Sequence, residues 1–203
     1  MNVSRPVPAL RGAATISPDD SWLLTAADVL RVAALASLAW AVLRSEWVNA
    51  ALFALVVGGL VLPRLLATRP ALDLASGAVV LFAAWSAVLD LYVSYDWLDV
   101  VVHAVACGLV TVTVLRLLVT ASVLPAPGGP GVRRPRTGVV VTTLVVGLAL
   151  GALWEAGEWL GHTYLDERIQ VGYDDTMGDL AADGLGALVT GLVLGRVQRR
   201  LSR

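Results

Sequence analysis

Three aspartates stand at the start of an apolar segment near the end of the chain. The stretch DDTMGDLAADG, residues 174–184, places Asp175, Asp179 and Asp183 at i, i+4 and i+8, which is one face of an α-helix. A carboxylate inside a lipid bilayer is costly unless it is paired, protonated or bound to a cation. The stretch is therefore either a solvated helix start or one wall of a functional site.

Two further pairs of polar residues have helical spacing. Asp99 and His103 stand at i, i+4 in DWLDVVVHAVACG, and Glu155 and Glu158 stand at i, i+3 in GALWEAGEWLGH. At a rise of about 1.5 Å per residue, both pairs and the aspartates lie within one or two helical turns of the same membrane boundary. We therefore expect the three motifs to meet.

Several carboxylates beside one imidazole favour a divalent cation. Oxygen ligands suit Mg²⁺ or Mn²⁺, and the histidine also allows Zn²⁺. We expect His103, Glu155 and Asp179 to be the catalytic groups, acting on a metal-activated water. The predicted metal ligands are Asp99, His103, Glu155, Glu158, Asp175, Asp179 and Asp183. No nucleophile motif of the GxSxG type occurs in the chain.

Each motif also has an interpretation without chemistry. Asp175 could have no role beyond stabilising the first turn of a helix, where an acid interacts favourably with the helix dipole. His103 could be a hydrogen-bonded interior histidine. Asp179 and Asp183 lie too deep for capping, which favours a polar interior between helices.

The composition is that of an integral membrane protein. Of the 203 residues, 57% are hydrophobic and 15% are charged, the mean hydropathy is +0.75, and apolar runs of about 20 residues recur. We predict an all-α polytopic membrane helical bundle with about six transmembrane helices. The predicted spans are 26–44, 47–66, 71–92, 98–122, 138–160 and 177–196.

The remaining segments are assigned around these spans. Residues 1–25 are rich in proline and lack the apolar core of a signal peptide, which predicts a flexible cytoplasmic N-terminal tail. Residues 26–203 form one six-helix transmembrane domain. A Pro/Gly/Arg-rich cytoplasmic loop is predicted at 125–136.

All 15 basic residues are arginines, and their distribution predicts the orientation. With both termini in the cytoplasm, only Arg44 and Arg168 face outwards, in accord with the positive-inside rule. We therefore predict a multi-pass protein of the bacterial cytoplasmic (inner) membrane with its acidic motifs on the extracytoplasmic side. The net charge of −1 gives no basic field for nucleic acid, so the predicted partners are membrane lipids and a lipid-linked substrate.

Two GxxxG patterns occur on the helices that carry the acids. Gly147 and Gly151 form the first pattern, and Gly191 and Gly195 form the second. This spacing lets helix backbones approach closely. The glycines could draw the acid-bearing helices together within the chain, or they could serve a homodimer.

In order along the chain, these motifs resemble those of a known family. Asp99-x3-His103, Trp154-Glu155-x2-Glu158-Trp159 and Asp175-Thr176-x2-Asp179-x3-Asp183-x2-Gly186 resemble the YjdF-like bacterial inner-membrane proteins. More distantly, they are similar to the VanZ-like membrane proteins, which are linked to glycopeptide resistance. Glu158 stands where the VanZ-like proteins have glutamine, and Asp183 stands where they have asparagine. The resemblance covers about residues 85–195 and implies that the three motifs belong together.

Three functions remain open at this point. The first is a metal-dependent membrane hydrolase or transferase that acts on a lipid-linked or phosphorylated envelope substrate. The second is a small proton- or cation-coupled transporter, which needs a polar path onward to the cytoplasm. The third is a non-catalytic envelope or resistance-associated protein in which the acids only hold helices together.

Overall fold

Seven helices account for the part of the chain that the structure describes. The structure is a computed structural model that describes residues 20–125 and 134–201, and no strand occurs in those ranges. The all-α fold class is therefore confirmed. In chain order the helices are α1 (Ser21–Leu43), α2 (Trp47–Leu65), α3 (Pro70–Val88), α4 (Leu91–Ser94), α5 (Asp96–Thr120), α6 (Pro135–Tyr164) and α7 (Tyr173–Leu201).

Six of these helices are long and apolar enough to cross a membrane, and α4 is the exception. Large apolar side chains such as Val29, Leu55 and Leu153 point away from the bundle and are more than half exposed. Small residues such as Ala34 and Ala41 lie inside it. This arrangement suits a bundle surrounded by lipid, where close helix packing depends on small residues. The predicted six-span membrane bundle is thus confirmed.

Several helix ends differ from the predicted spans. Helix α1 begins five residues earlier than expected, so residues 21–25 are helical rather than part of the tail. The apolar run Trp22-Leu23-Leu24 explains this, because it continues the helical segment without a breaker. The third span ends at Val88 instead of residue 92, because Asp90 adopts a left-handed backbone conformation with φ 53°.

Helices α6 and α7 extend beyond their predicted apolar cores. They continue into polar sequence because each further residue adds a backbone hydrogen bond to a helix that already exists. Residues 1–19 of the predicted tail and residues 126–133 of the predicted loop lie outside the described residues. The predictions for them stay predictions.

The helices pack as two groups of three. Helices α1, α2 and α3 contact one another, α5, α6 and α7 do the same, and α3 packs on α5. Within the first group, Phe53 and Trp40 each contact the ring of Trp85, at centroid distances of 5.3 and 5.4 Å. We call the end of the bundle where α1, α3 and α6 begin the arginine end. The end where α2, α5 and α7 begin is the acidic end.

Two arginines tie helices together at the arginine end. Arg31 lies 2.5 Å from the buried carboxylate of Asp73 and donates a hydrogen bond to the carbonyl of Leu60, which joins α1, α2 and α3. Arg116 on α5 donates to the carbonyls of Leu66 and Ala67, at 2.6 and 3.0 Å. Since those carbonyls follow α2, Arg116 links the two helix groups and fixes where α5 stands.

Candidate functional site

Glycines on α6 and α7 set how these two helices meet. A methyl group added to Gly147 would overlap Ala187, and one added to Gly151 would lie 2.9 Å from the carboxyl carbon of Asp183. The step from Gly147 to Gly151 along α6 is therefore matched by the step from Ala187 back to Asp183 along α7. Continued by one turn, this antiparallel register places Glu155 opposite Asp179.

The two GxxxG patterns are used within the chain. All four of their glycines are buried between α6 and α7, which confirms that the patterns draw the acid-bearing helices together. The alternative, a homodimer through the GxxxG faces, stays a prediction, although the glycines themselves are covered by the neighbouring helix.

Another glycine contact sets α5 against α7. A methyl group added to Gly186 would overlap the backbone carbonyl of Ala104, and one added to Gly108 would lie 2.7 Å from the hydroxyl of Thr190. These helices run in the same direction, with the two backbones in close contact. Because Ala104 is next to His103, this contact also fixes the depth of the imidazole beside the aspartates of α7.

Asp99, His103 and Asp179 converge at the acidic end. One ligand atom from each of them lies within 4.8 Å of the other two. The Nε2 atom of His103 is 3.7 Å from the Asp99 carboxylate and 3.9 Å from the Asp179 carboxylate. The Nδ1 atom faces the other way and lies 3.3 Å from Asp183 Oδ1. The imidazole is therefore surrounded by three carboxylates, with two on one ring nitrogen and one on the other.

Burial makes negative charge on the carboxylates of this cluster costly in free energy. Asp179 is 4% and Asp183 is 2% exposed, while His103 and Asp99 are partly buried. In the described part of the chain, His103 is the only basic group that forms an ion pair with these aspartates. One imidazole cannot balance three ionised carboxylates in a region of low dielectric constant, so the cluster needs either bound protons or a cation to neutralise it.

Two buried carboxylate oxygens add to this imbalance. Glu155 Oε1 and Asp183 Oδ2 have no hydrogen-bond partner among the described residues. A buried acceptor that lacks a donor costs free energy comparable to a lost hydrogen bond. Both atoms therefore have acceptor capacity that the described residues leave unused.

The seven predicted ligands do not all occupy equivalent places. Asp99, His103 and Asp179 form the set that one ion could reach, and Asp183 faces the opposite ring nitrogen. Glu155 is buried one helical turn from Gly151, on the side of the acidic end. Glu158 and Asp175 are half-buried nearer the helix ends. The four residues outside the set therefore surround the site rather than complete it.

Sequence reasoning did not identify Tyr92 as a neighbour of the site. Its hydroxyl donates a hydrogen bond to the carbonyl of Ala83, and burial raises the pKa of that hydroxyl. The carboxylates of Asp99, Glu158 and Asp179 raise the pKa of Tyr92 further, so the phenol lies within electrostatic range of the cluster. No spacing in the sequence could reveal this, because the break at Asp90 turns the short helix α4 towards the site.

The loop between α6 and α7 is also ordered by polar contacts. His162 Nδ1 lies 2.7 Å from the carbonyl oxygen of Ile169, and Arg168 forms an ion pair with Asp166 at 2.7 Å. These bonds hold the loop against the end of α6. His162 thus has a structural partner away from the cluster.

The spacing of the ligand atoms suits a metal ion with little movement. Zn²⁺ holds nitrogen and oxygen ligands at about 2.0–2.2 Å, so two ligand atoms on one ion are at most about 4.4 Å apart. The ligand atoms of the three residues all lie within 4.8 Å of one another, and small side-chain rotations would bring them to the spacing that one ion requires. Three protein ligands would leave further coordination positions for water or a substrate oxygen.

Comparison with known proteins assigns the chain to a family. A family model described as "Predicted membrane protein (DUF2238)" matches residues 24–200, which include the whole acidic cluster. No curated protein and no solved structure matches the chain. Because the match covers well over half of the sequence, the chain belongs to the DUF2238 family of predicted membrane proteins.

Proposed function

We propose that Asp99, His103 and Asp179 bind a divalent cation at the acidic end of the bundle. The observation that supports this most directly is the arrangement around His103, whose Nε2 faces two carboxylates while Nδ1 faces Asp183 at 3.3 Å. Metal-bound histidines characteristically donate their second ring N–H to a carboxylate, which fixes the ring and its tautomer. Asp183 is therefore the residue that orients His103 and is not itself a ligand.

The donor set narrows the choice of ion. One imidazole nitrogen and two carboxylate oxygens suit Zn²⁺ or Mn²⁺ better than Mg²⁺, which prefers an octahedron of oxygens and keeps several waters. A cation also supplies the positive charge that the buried carboxylates lack. Its binding would offset part of the cost of burying these carboxylates.

The chemistry that follows is metal-assisted hydrolysis or group transfer. A bound ion lowers the pKa of its water, and the unpartnered Oε1 of Glu155 is a suitable acceptor for the proton of that water. We place the acidic end on the extracytoplasmic side of a bacterial inner membrane, at the depth of lipid headgroups. The substrate we propose is a lipid-linked or phosphorylated envelope compound, whose phosphate would approach the ion from the membrane surface.

One structural observation favours this enzyme over the alternative of a transporter. On the arginine side of the cluster, Val112, Leu115, Val139 and Leu194 form a buried apolar core between α5, α6 and α7. The buried polar side chains near this level are Thr111, Thr113, Thr143 and Arg116, and the described residues of α5, α6 and α7 carry no acid or histidine there that could relay a proton. The apolar core supports a site that opens at one end only.

Of the two resemblances, the family match supports one. DUF2238 is the YjdF family, so the match agrees with a YjdF-like protein. Nothing in the comparisons supports the VanZ-like resemblance, and our proposal takes no residue role from it.

Metal content is the decisive measurement. The protein is purified in mild detergent without chelator, incubated with Mn²⁺ or Zn²⁺, and analysed by elemental mass spectrometry and isothermal titration. We expect near-stoichiometric metal in the wild type and its loss in His103→Gln and Asp179→Asn. Asp183→Asn should bind about 10–100-fold more weakly, as is typical when the partner of a ligating histidine is lost.

A matched control separates the site from general surface charge. Asp174→Asn changes an exposed acid in the first turn of the same helix, and it should bind metal as the wild type does. If the wild type binds no metal, or if Asp174→Asn lowers affinity as much as Asp179→Asn, the metal site is wrong. In that case the third function, a purely structural role of the acids, becomes the better account.

A further inference from the structure

A shallow groove runs between α6 and α7 at the arginine end, on the opposite side of the bundle from the acidic cluster. It has a volume of about 150 Å³ and is lined by Arg136, Val140, Leu192, Gly195 and Arg196. Its floor is apolar, and both of its charged residues are arginines.

The groove exists because the contact between α6 and α7 loosens along α7. At Gly191 an added methyl group would lie 3.1 Å from the backbone of Val140, so the two helices touch closely there. One turn later, a methyl group on Gly195 would make only ordinary contacts, at 3.5 Å from Val140 and 3.7 Å from the Arg136 carbonyl oxygen. The gap between the helices at Gly195 is thus wide enough for a methyl group at ordinary contact distance, in contrast to the gap at Gly191.

The two arginines of the groove are available to a ligand. Arg136 and Arg196 are exposed, and neither forms an ion pair with a described residue. Arg64, also at the arginine end, differs from them because it pairs with Asp28. Two unpaired positive charges beside an apolar strip are complementary to an anion that carries a hydrocarbon chain.

We propose that this groove binds an anionic phospholipid. The phosphate would lie between Arg136 and Arg196, and an acyl chain would cover Val140 and Leu192. A free phosphate could use the arginines but would gain nothing from the apolar floor. A lipid uses both, and basic pockets between membrane helices commonly hold such headgroups. The positive-inside rule also places the arginine end in the leaflet where anionic lipids concentrate.

Native mass spectrometry tests the proposal on the whole chain. The protein is released from mixed micelles that contain phosphatidylglycerol and phosphatidylcholine, and the bound lipids are counted. We expect phosphatidylglycerol to be retained in preference to phosphatidylcholine. An arginine near a membrane surface contributes about fivefold to the binding of an anionic lipid, so Arg136→Gln with Arg196→Gln should weaken retention about twenty-five-fold.

Two further variants distinguish a lipid site from general attraction to positive charge. Arg64→Gln removes a paired arginine at the same end and should retain the lipid. Gly195→Val places a side chain in the groove with both arginines intact, and it should also weaken retention. Equal retention by the double arginine variant, equal binding of both lipids, or displacement of the lipid by millimolar inorganic phosphate would each overturn the proposal.

Discussion

Replacement of Gly186 by alanine tests how the site is assembled. A methyl group at this position would lie 2.7 Å from the carbonyl carbon of Ala104 and would overlap the carbonyl oxygen itself. Ordinary contact begins at 3.4 Å, so clearing the carbonyl carbon alone requires α5 to move away from α7 by about 0.7 Å, and clearing the oxygen requires a larger shift. The obstacle is backbone and cannot rotate aside, in contrast to the end of a flexible side chain.

Both stability and metal binding should respond to this change. Overpacking of a close helix contact costs about 1–3 kcal/mol, and we expect the upper end of this range because backbone meets backbone. Movement of α5 would carry Asp99 and His103 away from Asp179. Since Nε2 of His103 already lies 3.9 Å from the Asp179 carboxylate, a further separation of this size would exceed the spacing of about 4.4 Å that two ligands of one ion allow.

The assay combines thermal unfolding in detergent with titration of Mn²⁺. The matched control is Gly178→Ala on the same helix, where an added methyl group meets nothing within 4 Å. This control should be as stable as the wild type or gain up to about 1 kcal/mol from helix propensity. If Gly186→Ala melts at the wild-type temperature and binds Mn²⁺ with wild-type affinity, the proposed dependence of the site on this helix contact is refuted.

Two more predictions concern ion pairs away from the site. Asp73→Ala leaves the guanidinium of Arg31 without its buried partner and should lower the free energy of unfolding by about 3 kcal/mol, measured by denaturant titration in detergent. In the loop between α6 and α7, hydrogen bonds from Arg168 lower the pKa of Asp166 to about 2. Because the folded-state pKa lies below the unfolded value, this pair stabilises the loop at pH above about 4 and loses its effect as the pH falls towards 2. Arg168→Gln should return the Asp166 pKa towards its ordinary value in a carboxyl NMR titration.

Each of these predictions has a result that contradicts it. Asp28→Ala removes an exposed partner of Arg31 and should cost less than about 1 kcal/mol; an equal loss in the two alanine variants would mean that burial of Asp73 is not decisive. An Asp166 pKa that is unchanged in Arg168→Gln would show that Arg168 is not its main partner.

The hydrophobic pattern alone was sufficient to predict the membrane bundle. Runs of about 20 apolar residues have one stable solution in lipid, the α-helix, because every backbone hydrogen bond must be made within the segment. The spacing of Asp99 and His103, and of Asp179 and Asp183, likewise showed which side chains share a helix face. The ends of the helices were predicted less accurately, since the left-handed conformation at Asp90 depends on packing and not on an apolar run.

Only the tertiary structure decided what each polar residue faces. Helical periodicity fixes which residues share a face, but the rotation and depth of one helix against another come from contacts between helices. Here, rotation and depth are set by the contact of Gly186 with Ala104 and the contact of Gly151 with Asp183. As a result, one nitrogen of His103 faces Asp99 and Asp179 and the other faces Asp183, a division of roles that equal spacing along α7 could not reveal.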